Sequence, residues 1–293
     1  MAVIARLRSA QINSAVIRSV LSRYYKDGEI YTVPFGALRG IRLRYRPEIN
    51  FHAMLGLWEL DNFRLLRRTL TAGGLLEGNE TTCDIGANIG LFSLWLSSHG
   101  VPRGTVHAFE AAPKTLSALR DTIAINERSN VDVVPFACTD RPGPVEFFVG
   151  HHHHVSSLQA DWAAGDSGGT AQKIIVDGTT LDAFFYGPIA RPAPAFVKID
   201  IEGGGVYALK GCTRCAAEAR PLFLIESHTP DEDRAICDLI VNFEYDAFRI
   251  ADRCWVRARN EPYPHPDGVW GNLFLCPKER RVRVAELVAG GRP

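Results

Sequence analysis

From about residue 80 onwards, short apolar runs alternate with segments whose apolar residues recur at helical spacing. The segments TTCDI (81–85), GTVHAFE (104–110) and VDVVPFAC (131–138) have the length and composition of buried strands, and helical segments separate them. The alternation resumes with PAFVKIDI (194–201) and PLFLIES (221–227). Because strands separated by helices form βαβ units, the pattern predicts an α/β fold with a parallel sheet and right-handed crossovers.

Two further patterns complete the predicted sheet region. PVEFFVG (144–150) and KIIVDG (173–178) predict a strand pair that decorates the sheet, joined by a loop rich in glycine, serine and histidine. Late strands near YDAFRI (245–250) and NLFLC (272–276) are predicted to finish the fold. Open parallel sheets bind ligands at the carboxyl ends of their strands, so we expect functional residues where the strands end.

The first part of the chain differs in character, and we expect an extension over 1–70 followed by one larger domain over 71–293. GALRGIRLRYRPE (36–48) alternates as a strand or hairpin does, and the N-terminus spaces apolar residues as in an amphipathic helix. We expect that helix to pack on the domain or, as an alternative, to lie on a membrane surface. Twelve basic and five acidic residues give the extension a charge of +7, against −7 for the rest. We therefore predict that it covers the ligand site of the larger domain as a lid, or contacts an anionic ligand or membrane surface.

The overall composition limits the classes of partner. The 293 residues include 33 basic and 33 acidic residues, and 46% are apolar. This balance argues against binding nucleic acid by bulk charge and against disorder. No apolar run approaches the roughly 18 residues of a membrane-spanning helix, and the N-terminus lacks the apolar core and cleavage site of a secretory signal. We expect a small-molecule partner, no nucleic acid and no stable membrane insertion, with a homo-oligomer left open.

Seven cysteines, an odd number in a chain of this length, indicate reduced thiols and a cytoplasmic location. Cys212 and Cys215 form a CxxC pair, but a zinc site would need a second pair of matching spacing. We interpret the pair as buried free thiols that follow a helix cap at Gly211.

The strongest local motif is DIGANIG at 84–90, placed between a predicted strand and a predicted helix. Gly86 allows a tight turn and Gly90 allows the helix to pack closely, but the motif is GxxxG rather than the GxGxxG of dinucleotide sites. Asp84, at the tip of the strand, suits a ligand with a positive amino group. Glu110 ends the next strand, where an acid can accept both hydroxyls of a ribose.

Several segments together resemble the FkbM family of S-adenosylmethionine-dependent methyltransferases, over roughly residues 56–276. These segments are GLWE (56–59), CDIGANIGLFSL (83–94), HAFEAAP (107–113), VVPFACTD (133–140), SSL (156–158), TTLD (179–182) and VKIDIEG (197–203). The resemblance implies S-adenosylmethionine as cofactor. It also implies a Rossmann-like class I methyltransferase fold, with a seven-stranded, mostly parallel sheet, helices on both faces and a reversed last strand.

The resemblance also implies roles for individual residues. The residues implied to bind the cofactor are Asp84, Gly86, Ala87, Asn88 and Gly90 around its methionine part, Glu110 at the ribose, Ala137 within 136–138 beside the adenine, and Asp200 near the methyl group. The sequence departs from the family at one place, because the family continues VKIDIEG with a small residue and then a glutamate. Here Gly204 and Gly205 follow, which puts the helix start or the substrate contacts in doubt.

Methyl transfer to a hydroxyl needs a base near the methyl group, because the acceptor must lose a proton. The candidate catalytic residues are His228, Asp200 and Glu226, all at the ends of central strands. His228 has the side chain suited to proton transfer at neutral pH, although it could equally cap the following helix. Asp200 and Glu226 could instead hold a divalent metal, but no third acid is evident and we predict none. His151–His154 are expected to lie on a solvated loop over the site.

The sequence therefore predicts a methyltransferase, most simply an O-methyltransferase acting on a hydroxyl of a natural product or sugar. One alternative is an NAD(P)-dependent oxidoreductase on the same architecture, against which the missing third glycine counts. Another is a non-catalytic protein that keeps the fold, which the absence of a glutamate at Gly205 favours.

Overall fold

The computed structural model describes residues 14–150, 156–159, 171–256 and 270–289. The chain forms two compact units, Met1–Leu60 and Asp61–Pro293. The division falls ten residues before the boundary expected at residue 70.

The first unit contains short elements around a small core. They are α1 (Ser14–Leu21), β1 (Ile30–Thr32), β2 (Arg42–Arg44) and α2 (Phe51–Met54). The strands β1 and β2 pair antiparallel, with Ile30 opposite Arg44. Leu43 and Tyr45 are almost fully buried, so the alternation over 36–48 does mark one strand of a hairpin. Its partner strand lies before that segment.

In its described residues, the second unit contains twelve strands and several helices. The strands are β3 (Thr81–Ile85), β4 (Thr105–Phe109), β5 (Val131–Val134), β6 (Ala137–Cys138), β7 (Gly143–Val149), β8 (Ser156–Ser157), β9 (Gln172–Thr179), β10 (Pro194–Ile199), β11 (Leu222–Ser227), β12 (Tyr245–Arg249), β13 (Cys254–Trp255) and β14 (Gly271–Pro277). The helices are α3 (Leu60–Leu66), α4 (Leu91–Trp95), α5 (Pro113–Ile125), α6 (Leu181–Tyr186), α7 (Gly205–Lys210), α8 (Pro230–Asn242) and α9 (Arg281–Ala289), with π-helical turns at Arg67–Thr71, Leu96–Gly100 and Cys215–Ala219.

The main sheet has the order β13-β12-β14-β11-β10-β3-β4-β5. The strands β5, β4, β3, β10 and β11 run parallel, and β14 lies antiparallel between β11 and β12. This α/β fold, with a large and mostly parallel sheet and a reversed last strand, confirms the predicted class. The two-residue strand β13 adds an eighth strand at the edge.

One predicted strand is divided between two sheets. The segment VDVVPFAC was expected to form one strand, but β5 ends at Val134. Pro135 has no N–H to continue the ladder. Ala137 and Cys138 instead pair with Gly178 and Thr179 of β9, in a second sheet of order β6-β9-β7-β8.

The last helix is absent from the sequence prediction. Helix α9 follows β14 and buries Val284 and Val288, which lie one turn apart. Val284, Leu287 and Val288 do recur at helical spacing, so the sequence carried a signal for this helix, which the prediction that ended at the strand near 272–276 missed.

The sheet brings the ends of its central strands to one edge. β3, β10 and β11 are parallel neighbours and almost entirely buried, so DIGANIG, VKIDIEG and IESH all emerge at their carboxyl ends. The fold thus collects at one place the residues that the sequence placed at strand ends.

Candidate active site

The turn after β3 is held against two neighbouring strands. Gly86 and Gly90 have φ of +77° and +87°, the left-handed region that favours glycine. A Cβ at Gly86 would lie 2.0 Å from the backbone oxygen of Asp200, so only glycine fits there. The N–H groups of Gly86 and Ala87 both donate to the carbonyl oxygen of Phe109, at 3.1 and 2.9 Å. These two backbone hydrogen bonds fix the start of the turn against β4.

Glu110, at the end of β4, lies beside this turn. Its carboxylate accepts the N–H of Asn88 at 3.0 Å and that of Ala112 at 2.8 Å. Burial raises the pKa of Glu110 to about 7, although these N–H donors act in the opposite direction. Its carboxylate faces the adjoining pocket and is available to a hydroxyl-bearing ligand.

The pocket at this edge lies at the carboxyl ends of β3, β4 and β10, where an open parallel sheet binds its ligands. Five of the residues predicted to bind a cofactor line it: Gly86, Asn88, Glu110, Ala137 and Asp200. Its wall also contains the apolar side chains of Phe109, Phe136 and Leu158, along with Glu202. Ser157 donates from Oγ to the backbone oxygen of Glu202 at 2.6 Å, which fixes the turn after β10.

Asp84, Ala87 and Gly90 are not among the residues that line the pocket. Asp84 is fully buried, and its carboxylate accepts a hydrogen bond from Ser93 Oγ at 2.6 Å. The Nζ of Lys198 lies 3.3 Å from the other oxygen of Asp84. Asp84 therefore interacts with groups of this chain inside the fold. Gly90 packs against Leu119, because a Cβ added at Gly90 would lie only 2.6 Å from Leu119 Cδ1.

The three candidate catalytic residues do come together. The Nε2 atom of His228 lies 3.6 Å from a carboxylate oxygen of Asp200 and 3.8 Å from one of Glu226. Glu202, which the sequence analysis did not identify, lies 3.6 Å from the same nitrogen. Glu202 is thus a third acid beside the imidazole, which the spacing of the sequence had not made evident. A carboxylate in the turn after a strand gives no periodic signal, and its approach depends on the conformation of that turn.

His228 Nδ1 lies on the opposite side of the ring, 3.8 Å from Glu232. Glu232 is almost fully buried and accepts the backbone N–H groups of His228, Thr229 and Gly205, at 2.7, 2.9 and 2.8 Å. Burial raises its pKa, and these donors and His228 lower it. It is Thr229, rather than His228, that caps helix α8, in a capping box with Glu232. The alternative role of His228 as a helix cap is therefore not what the structure shows.

The departure at Gly204 and Gly205 has a visible consequence. Helix α7 begins at Gly205, and a Cβ there would lie 2.7 Å from Glu232 Oε1. A carboxylate from α8 thus occupies the space beside the helix start, where a larger residue at 205 would collide with it.

Asp200, Glu226 and His228 each offer a donor atom within 4.8 Å of the other two. Such a spread is compatible with a cation as well as with an imidazole held among acids. His151–His154 lie outside the described residues.

The cysteine prediction agrees with the structure. All seven cysteines are free, and Cys212 and Cys215 are buried after the helix end at Gly211. Burial raises the pKa of both thiols, so they remain protonated and inert.

None of the helices among the described residues has the length and apolar character needed to cross a membrane.

Comparison with known proteins assigns a family to this arrangement. A family model described as "Methyltransferase FkbM domain" matches residues 84–250, more than half of the chain. Among curated proteins, none matches the chain in sequence.

Three solved structures illustrate the structural similarity to known proteins. The methyltransferase FkbM of Methylobacillus flagellatus KT is 20% identical, with a TM-score of 0.41, over 78% of this chain and 52% of its own. The present chain thus spans about half the length of that protein. The cofactor-bound Rv0187 from MTB is 14% identical (TM-score 0.42; 94% and 96% covered), and the precorrin-6y C5,15-methyltransferase of Geobacter metallireducens GS-15 is 17% identical (TM-score 0.39; 64% and 72%). Sequence identities and TM-scores this low do not indicate a substrate or a mechanism for this chain.

Proposed function

The chain belongs to the FkbM methyltransferase family, and we propose that it transfers the methyl group of S-adenosylmethionine to a hydroxyl oxygen of a small natural product or sugar. One observation carries the choice of oxygen as acceptor. The imidazole of His228, which is not itself among the residues that line the pocket, lies 3.6 Å from a carboxylate oxygen of Asp200, which is. A hydroxyl acceptor needs such a base within reach, because its proton must leave as the new bond forms.

We propose that the pocket residues hold the cofactor in one orientation. S-adenosylmethionine supplies an electrophilic methyl group when bound, so the protein's main task is to position the reactants. Glu110 accepts the ribose hydroxyls, and the turn at Gly86 and Asn88 surrounds the methionine part. Ala137 lies beside the adenine. Asp200 faces the end of the pocket where the methyl group is transferred.

Within the acid cluster, His228 is the base. One oxygen of Asp200 lies 3.2 Å from the ammonium group of Lys198, so this oxygen is engaged in an ion pair rather than free for the acceptor. The imidazole can take the hydroxyl proton at Nε2, and Asp200, Glu202 and Glu226 then stabilise the imidazolium. Asp200 therefore orients and stabilises the base rather than acting as the base itself.

Two further predictions remain part of the proposal. The basic N-terminal residues 1–70 are proposed as a lid for the acceptor, on the strength of their opposite charge to the rest of the chain. A cytoplasmic location is proposed because all seven cysteines are free.

Isothermal titration of the full chain tests the cofactor directly. We expect saturable binding of S-adenosylmethionine and none of NAD; tight NAD binding without a response to S-adenosylmethionine would overturn the proposal in favour of the oxidoreductase. Cofactor binding without methyl transfer to any of a broad panel of hydroxylated acceptors would support the non-catalytic alternative.

A further inference from the structure

Lys198 is a buried cation in the middle of an apolar strand. Its neighbours in β10, Val197 and Ile199, are fully buried, and Lys198 itself is 8% exposed. The parallel register places it opposite Asp84 of β3, so the two side chains leave the sheet on one face. Its Nζ lies 3.3 Å from Asp84 and 5.3 Å from the centre of the Phe92 ring. A buried ammonium group requires this kind of compensation.

The same ammonium group also holds Asp200. Its Nζ lies 3.2 Å from Asp200 Oδ2, while Oδ1 of that carboxylate lies 3.6 Å from His228 Nε2. A carboxylate held through one oxygen presents the other in a fixed direction. Lys198 is thus linked to His228 through Asp200.

The charged groups around His228 come from three parts of the fold. Asp200 and Glu202 follow β10, Glu226 lies in β11 and Glu232 lies in α8. All four are acids, whereas Lys198 is a cation that contacts Asp200 on Oδ2, the oxygen farther from His228. Its charge offsets part of the negative potential at the imidazole.

We propose that Lys198 is a positioning residue of the methyl-transfer site, which fixes Asp200 and thereby sets the orientation and the charge state of His228. The inference rests on the proposed function of His228 as the base. Without Lys198, the ammonium charge that offsets the acids around His228 would be lost, and the more negative surroundings would favour the protonated imidazole. His228 would then act as a base only at higher pH.

The test replaces the cation while keeping the buried charge balanced. Lys198→Met alone would leave the Asp84 charge buried without compensation, so the variant combines Lys198→Met with Asp84→Asn. The matched control is Lys173→Met, which removes an exposed lysine from its ion pair with Glu146. The imidazole signals of the full chain are followed by NMR between pH 5 and 9, and that of His228 is identified by its loss in His228→Gln.

The single variant Asp84→Asn keeps Lys198 and removes the same anion, so it is the reference for the double variant. We expect the midpoint of the His228 signal to lie about half a pH unit or more higher in the double variant than in Asp84→Asn, because the two differ only in the Lys198 cation. Lys173→Met should match the wild type. A midpoint in the double variant within about 0.2 pH units of that in Asp84→Asn would overturn the assignment of Lys198.

A second measurement needs no variant that might fail to fold. In the wild type, the Lys198 ammonium resonance should shift over the same pH range as the His228 signal, and a resonance unchanged over that range would overturn the proposal. Titration of the same samples with S-adenosylhomocysteine distinguishes a failure of the proposed function from a failure of the role assigned to Lys198. Failure of the wild type to bind it would count against the proposed function, whereas normal binding with uncoupled resonances counts against Lys198 alone.

Discussion

Gly205 donates its backbone N–H to the carboxylate of Glu232, at 2.8 Å and across 27 positions of the sequence. The same carboxylate accepts the N–H of His228. One buried side chain therefore joins the start of α7 to the loop that carries the proposed base. The absence of a side chain at Gly205 is what makes room for it.

This contact predicts a position-specific effect of adding one methyl group. In Gly205→Ala the Cβ would lie 2.7 Å from Glu232 Oε1, and the carboxylate could move only by giving up hydrogen bonds to the backbone. We expect a loss of about 1–3 kcal/mol in the free energy of unfolding, measured with urea. Gly204→Ala is the matched control, because its Cβ would make only ordinary contacts, at 3.6 Å or more. Equal stability of the two variants would contradict the role of Glu232.

The raised pKa of Glu110 predicts that cofactor affinity depends on pH. Its pKa is about 7, so the carboxylate is ionised above that pH and protonated below it. The ionised form is the stronger acceptor of hydrogen bonds from the ribose hydroxyls, because neither of its oxygens carries a proton. We expect S-adenosylhomocysteine to bind about tenfold more weakly at pH 6 than at pH 8, measured by calorimetry.

The control for this dependence is Glu110→Gln. The amide cannot ionise, so affinity should be lower at pH 8 and nearly constant down to pH 6. A wild-type affinity that does not change over this range would show that the ionisation of Glu110 does not govern binding.

The assignment of His228 predicts the effect of His228→Ala on turnover. Loss of a general base typically lowers the rate by about 10²–10⁴-fold, so kcat should fall by that order while S-adenosylhomocysteine affinity is retained. The measurement is kcat with an accepted hydroxyl substrate between pH 6 and 9. Turnover that is unchanged over this range would remove His228 as the base and leave Asp200 as the leading candidate.

Chelation distinguishes this account from a metal-assisted reaction at Asp200, Glu226 and His228. If the imidazole takes the proton directly, EDTA should leave kcat unchanged. Loss of activity that added Mg²⁺ or Mn²⁺ restores would instead assign the three residues to a divalent cation.

The sequence was informative where a feature depends on neighbouring residues. The turn at Gly86 and the strand end at Glu110 are local patterns. Both residues lie where the sequence placed them, directly after the carboxyl ends of β3 and β4. Lys198 gave a weaker signal, a single lysine inside the apolar run FVKID, which could have drawn attention to it. Its partner was not predictable, because the approach to Asp84 depends on the register between β10 and β3.

Glu202 and Glu232 show the limit more clearly. Each approaches His228 from a separate turn or helix, and nothing in the spacing of the sequence encodes that convergence. Asp84 shows the reverse case, since its place at a strand tip suggested a ligand contact. The structure instead surrounds its carboxylate with Ser93 and Lys198.

The chemical shift of the methyl carbon in the product tests most directly whether the methyl group is transferred to oxygen. The full chain is incubated with S-adenosylmethionine carrying carbon-13 in its methyl group and with a panel of hydroxylated small molecules and sugars. We predict a product whose labelled carbon has the chemical shift of a methoxy group. A labelled methyl group on nitrogen, carbon or sulfur would contradict the account.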